Sequence, residues 1–454
     1  MTSAPTNAEY AEYIICDSSD ESDSGTPKPS TSNDQSKDQP EDQSEDQSLQ
    51  TGIQNEAFEV LRTTSEICLR NGIPIWCGLL IGEIKMTQKY ELYQEKMFGY
   101  TEGAGKSSQP EPTRMASKAV IFMVISLIEN WKIPVGLFFV HDPDIKYFAD
   151  IIEETLDKLL NVGVDIVSVT MNCLSPHFGF SLANELGAEI DVTQDPSTFK
   201  AYFQHPSKKN ATVHIIYDVD IILPELKSYW SKSDVIFDKG YPIKHSFCEK
   251  IKKYEKPDCW SNTDYNWMIL KKKLLYDENI LGRTYADALT YLKGLGLQEF
   301  QGTGPTIQFI RVLYFISQVS EVNGLEGQIW IDMSQANEHQ WKPDVTKTIE
   351  YFKNINRNRE FPDNLSVFKK YTVGIMVYFI SLYGMYNASI QPHYRTVPNR
   401  YRLPSILPSR FALKHVRLGI LEKPKSGTEL SALGIFKKIK TATKNLHPID
   451  ADKI

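Results

Sequence analysis

Residues 118–140 read KAVIFMVISLIENWKIPVGLFFV. The first half, from Val120 to Ile128, is almost wholly apolar and rich in β-branched residues. The second half, from Pro134 to Val140, is another short apolar run, with Trp131 and Lys132 at the connection. Runs of this length, bounded by polar residues and Pro, read as strands buried on both faces of a sheet. Further β-rich runs lie on both sides, at 74–86, 164–171 and 213–219. Helical patterns separate the later ones, the clearest at 144–161, where apolar residues recur every three or four positions. Alternating strands and helices predict an α/β layer domain. The expected mixed sheet takes strands 75–86, 93–100, 119–128, 134–140, 164–171 and 213–219, with flanking helices.

A chain of 454 residues is long enough for two or three domains with sizeable cores. Its net charge of −7 is unevenly spread. Residues 1–50 hold twelve acids and two lysines, a balance of −10; residues 391–454 hold thirteen Lys or Arg and four acids, a balance of +9. The middle therefore carries −7 + 10 − 9 = −6. A basic face over the whole body is not indicated, and any DNA contact is expected through the tail. The six cysteines form no CxxC pair and no His cluster lies near them, which argues against zinc and suits a reducing compartment. No signal peptide opens the sequence, and the apolar stretch at 374–383 is too short to span a bilayer. An intracellular protein is expected, nuclear or cytoplasmic.

Residues 1–50, rich in Ser, Asp, Gln and Pro, are expected to form a disordered acidic arm. Within it, Tyr13, Ile14, Ile15 and Cys16 precede DSSDESDS from Asp17 on. A β-prone run followed by acids and serines resembles a SUMO-interacting motif. Ile14, Ile15 and Asp17 are the residues that would meet SUMO or a SUMO-modified protein by strand addition. The competing reading is an apolar island in an acidic arm. Gly103 to Ser107, GAGKS, lacks the first glycine of a phosphate loop and precedes no helix, so a surface loop is expected. Residues 51–230 form the expected α/β domain. From 231 to 390 the pattern becomes mostly helical and dense in aromatics, which predicts a second, mainly α domain. From 391 the chain is a Pro- and Arg-rich basic tail, with a short basic helix expected at 437–444.

Six segments, in order from about residue 73 to 390, resemble the P-element transposase family, whose members include THAP-type transposases. They are VIFMVISLIENWKIPVGLFF, IGEIKMTQKYELYQEKMFGYTEGAG, VSVTMNCLSPHFGFSLANELGA, VHIIYDVDIIL, FQGTGPTIQFIRVLYFISQVSEVNG and KYTVGIMVYFISLYGMYN. The resemblance implies an RNase H-like α/β domain interrupted by a mostly helical insertion that binds GTP. It also implies three acids holding two Mg²⁺ ions, which clamp the attacking and leaving oxygens of a phosphodiester. Here the sequence departs from the family. The first acid position falls on Gly82, beside Glu83, and the second on Asn172. No segment past 390 matches the helix that carries the third. Asp218 is kept, but the following His and Lys positions fall on Ile221 and Pro224. No Cys-x-Cys pair of a THAP finger opens the sequence. Glu83 is one residue out of phase, which puts it on the other strand face. Asp218 and Asp220 are expected on one face of the last strand as structural acids. The leading expectation is a transposase-derived protein without strand-transfer activity, kept as a nuclear binding or scaffold protein. The alternatives are a metal-dependent nuclease or guanine-nucleotide enzyme with a rearranged site, and a decayed relic.

Overall fold

A computed structural model of the chain describes residues 52–73, 75–93, 96–101, 114–127, 131–141, 144–171, 176–232, 236–254, 265–276, 282–320, 332–333, 338–355, 365–392, 403–404 and 431–444. The acidic arm with Ile14, Ile15 and Asp17, the 103–107 loop and Asn172 lie outside the described residues.

The 118–140 stretch forms two central strands of a seven-stranded mixed sheet, β5 (Lys118–Ser126) and β6 (Lys132–Val140). The edge strand β1 (Gly52–Ile53) runs antiparallel to β6, and β6 to β5. Next come β2 (Trp76–Lys85), antiparallel to β5, then β7 (Asp165–Met171) and β9 (Thr212–Tyr217), both added in parallel. Strand β8 (Tyr202–Gln204) closes the other edge, antiparallel to β9. Pro134 falls where the β5–β6 register shifts, between Phe122 and Met123. A residue without an N–H is tolerated in a sheet at such an irregularity.

The 93–100 segment does not join this sheet. Strands β3 (Glu91–Tyr93) and β4 (Lys96–Phe98) pair only with each other among the described residues. The reason is geometric: β2 and β5 pair directly from Cys77 to Lys85, leaving no place for a strand between them. A polar–apolar alternation three residues long also cannot serve as a strand buried on both faces.

Helices cover both faces. Helix α1 (Asn55–Arg70) precedes β2, and α2 (Ile145–Asn161) links β6 to β7. Asp144 caps α2 by accepting from the Tyr147 amide at 3.1 Å. The chain then turns at Gly163, whose φ of +82° and close approach to Ser65 Oγ leave no room for a side chain. Helices α3 (Pro176–Glu185) and α4 (Val219–Lys232) follow β7 and β9.

Beyond residue 231 the described structure is mostly helical, as the sequence predicts. It comprises α5 (Ser246–Tyr254), α6 (Tyr265–Tyr276), α7 (Arg283–Gly294), α8 (Gly304–Ser320), α9 (Glu338–Asn354) and α10 (Leu365–Met385). No described helix is long and apolar enough to cross a membrane. These helices share one continuous apolar core with the sheet. Helix α10 is the joint: Ser381 Oγ donates to the Ile215 carbonyl of β9 at 2.5 Å. A second, smaller core lies on the other side of β2, β5 and β6. It is sealed by α11 (Ala432–Lys444) through Ala432, Ile435, Phe436 and Ile439. Part of the segment read as a basic tail is therefore a core helix.

Candidate functional site: the strand position at Gly82

Side chains alternate across a strand, so the faces of β2 can be read from its neighbours. Leu79 and Ile81 enter the large core, whereas Leu80 enters the small one and Ile84 packs against it. Gly82, itself buried, belongs to the Leu80–Ile84 face, the one that meets the small core. Its partner on β5 is Ile121, fully buried in the same apolar layer. The β2–β7 pairing runs as far as Ile81 opposite Met171, so Gly82 and Asn172 each follow a paired residue. Helix α11 reads ALGIFKKIKTATK and carries four lysines but no acid.

Glu83 points to the opposite face. Its carboxylate is held by Lys118 Nζ at 2.9 Å, with the two side chains 11% and 33% exposed. Asp218 is almost fully buried at the end of β9. Its carbonyl accepts from the amides of Ile221 and Ile222, each at 3.2 Å, which starts α4. The strand therefore stops at Tyr217, and Asp220 lies in the first turn of α4. The expected pairing of Asp218 and Asp220 on one strand face is corrected: Asp218 follows the last strand residue, and Asp220 belongs to the helix. Among the described residues no group of three or more His, Cys, Asp or Glu is placed to hold a metal ion. A divalent pair needs several anionic oxygens. Among the described residues its strand neighbours on that face are Leu80 and Ile84 and its register partner is Ile121, none of which offers an anionic oxygen.

Sequence reading missed a buried polar row on the same sheet face. Ser168 of β7 is the register partner of His214 of β9, and both are buried. Burial pushes the His214 imidazole down to about 4, so it is neutral at physiological pH. Gly384 of α10 lies over the ring: a Cβ there would come within 2.5 Å of His214 Cε1. Nearby, the Tyr217 hydroxyl is fully buried, which pushes its pKa well up, and Gly179 of α3 packs against its ring. No sequence pattern marks these contacts, because they join strands to helices far along the chain.

In the helical part, an open groove of about 690 Å³ runs along α9, lined by Glu338, His339, Lys342, Pro343, Thr346 and Lys347. Its two lysines are already engaged. Lys342 Nζ lies 2.8 Å from Glu338 and 5.2 Å from the centre of the Tyr383 ring, and Lys347 lies 3.5 Å from Asp344.

Three comparisons bear on this geometry. Residues 49–187 match the family model described as TNP-like, RNase H N-terminal domain. The human protein described as DNA transposase THAP9 is 25% identical over 250 residues. That match covers 52% of this chain and 26% of the human protein, about a quarter of its length. The solved Drosophila P element transposase strand transfer complex superposes with a TM-score of 0.65 over 89% of this chain and 84% of that one. Its sequence identity is 14%, so the likeness is one of fold.

Proposed function

In a chain whose RNase H-like part belongs to the P-element transposase family, we propose that the scaffold is kept and the strand-transfer chemistry is not. The protein works by binding, as a nuclear DNA-associated or scaffold protein. The observation that supports this reading most is the apolar setting of Gly82. Leu80 and Ile84 stand on the same face of β2, and Ile121 stands opposite on β5. A rearranged site would have to use Glu83, which points to the other face and is tied to Lys118. No described feature favours the nuclease or the guanine-nucleotide reading.

The test is metal-dependent cleavage of plasmid and hairpin DNA by the full chain, beside a Gly82→Asp, Asn172→Asp variant. The wild-type chain is expected to cleave neither substrate with Mg²⁺ or Mn²⁺, and calorimetry is expected to give no saturable two-site metal binding. Two-site binding that is lost in Glu83→Ala or Asp218→Ala would overturn the reading.

DNA, if bound, should be met through phosphates by the basic segment that includes Lys437, Lys438 and Lys440 of α11. Affinity is then expected to fall steeply with salt. Replacing each contacting lysine by Gln should lower the slope of log K against log salt by about 1. Fluorescence anisotropy over a salt series measures this, and an unchanged slope would move the contact elsewhere.

A further inference from the structure

Helix α6 reads YNWMILKKKLLY and holds no acid. Its inner side is set by Trp267 and Leu274, both buried, and by Leu270, which packs against the large core. Met268 and Ile269 are left on the other side, 53% and 38% exposed. Lys272 and Lys273, both exposed, follow them by four positions and so extend the same outer face by one turn. The face is therefore one apolar turn followed by one basic turn. Helix α7 lengthens it. Trp267 stacks on Tyr291, with ring centres 5.9 Å apart, which sets the start of α6 beside the end of α7. Leu295, 43% exposed, follows Tyr291 by one turn at that end, with the exposed Lys293 between them in sequence.

Charge and shape state what kind of partner fits. Lys272, Lys273 and Lys293 make no ion pair or hydrogen bond among the described residues. The one acid of α7, Asp287, is already taken, 3.5 Å from Arg283 and 3.9 Å from Arg311. A single exposed apolar residue is ordinary, whereas adjacent ones beside an uncompensated basic turn form a docking pattern. Three unpaired ammonium groups call for anionic groups on the partner. Duplex phosphates would satisfy the lysines but leave Met268, Ile269 and Leu295 in water. A lipid surface needs a longer apolar strip than these three side chains provide. A helix whose apolar positions recur every three or four residues, with Asp or Glu beside them, satisfies both sets at once. Met268 suits such a contact, because its unbranched side chain adapts to the shape laid on it.

We propose that the outer face of α6, together with the end of α7, docks an acidic amphipathic helix of another protein. The apolar stripe of that helix covers Met268, Ile269 and Leu295, and its carboxylates meet Lys272, Lys273 and Lys293. The inference is separate from the loss of strand transfer, since a chain that cleaved DNA could carry the same surface.

Fluorescence anisotropy of a labelled peptide titrated with the full chain tests it. The probe is a helix of about 14 residues with Leu at every third or fourth position and Glu at most others. The control has the same composition in scrambled order. The striped peptide is expected to bind and the scrambled one is not. Met268→Ser with Ile269→Ser, and separately Lys272→Glu with Lys273→Glu, should each weaken binding about tenfold or more. A striped peptide with Lys in place of Glu should regain affinity for the charge-reversed variant. The four replaced side chains are exposed, so thermal unfolding should match the wild type. No binding of the striped peptide below about 1 mM, or equal binding of the scrambled one, would overturn the proposal. So would duplex DNA, or vesicles with about 30% phosphatidylserine, held through these residues while the peptide is not. That result would assign the face to phosphates or to lipid.

Discussion

At His214 the sheet buries an ionisable ring with nothing to offset its charge. The Ser168 hydroxyl and His214 Nε2 have no hydrogen-bond partner among the described residues, so the row is held by the packing above it. Two predictions follow from residue geometry. Gly384→Ala puts a methyl 2.5 Å from Cε1 of a ring that cannot swing into solvent. It should destabilise the fold by about 1–3 kcal/mol in denaturant unfolding. The imidazole's folded pKa of about 4 lies below its unfolded value. The folded state therefore binds fewer protons, and the group favours folding above about pH 6.5, an advantage lost as pH falls towards 4. Up to about 3 kcal/mol is involved. His214→Gln should flatten the stability profile across that window, and a profile as steep as wild type would place the titration elsewhere. None of this was legible in VHIIYDVD. Alternation assigns His214 to a strand, but Gly384 lies 170 residues later (384 − 214) and carries no signal.

Two elements depart from their sequence reading, for different reasons. The β3–β4 hairpin was expected in the sheet because its β propensity is real; what it lacks is an apolar run long enough to be buried twice. Helix α11 was read through its lysines. Its apolar stripe at Ala432, Ile435, Phe436 and Ile439 follows the i, i+3, i+4, i+7 spacing of a core-facing helix and was there to be seen. Charge and stripe occupy different sides of one helix. If α11 were only a tail, truncating Phe436 would loosen the last turns and leave the midpoint of unfolding in place. Because Phe436 is 2% exposed and packs on Phe98, Phe436→Ala should instead lower global stability by about 3–5 kcal/mol. Thermal unfolding of the full chain distinguishes the two.

Over the whole molecule, the sheet was legible because its strands are buried on both faces, and doubly buried strands leave continuous apolar runs. The family's fold was legible because those runs keep their order and spacing. The position at Gly82 was legible only as a missing acid; its apolar neighbours on the sheet needed the register with Ile121. The continuous core from sheet to helices was not legible, since contacts such as Ser381 to Ile215 link residues that no local pattern relates.

The closure by α11 has a consequence for how the protein is made. Phe139 leaves the ribosome 297 residues before Phe436 (436 − 139). At about 5–20 residues per second that gap lasts roughly 15–60 seconds. Through that time Ile121, Met123 and Phe139 form an apolar sheet face whose cover has not yet been synthesised. The nascent chain therefore needs a chaperone on that face or must delay its collapse. A message cut short before codon 432 would yield a product with its sheet permanently open, marked for degradation rather than for partial function.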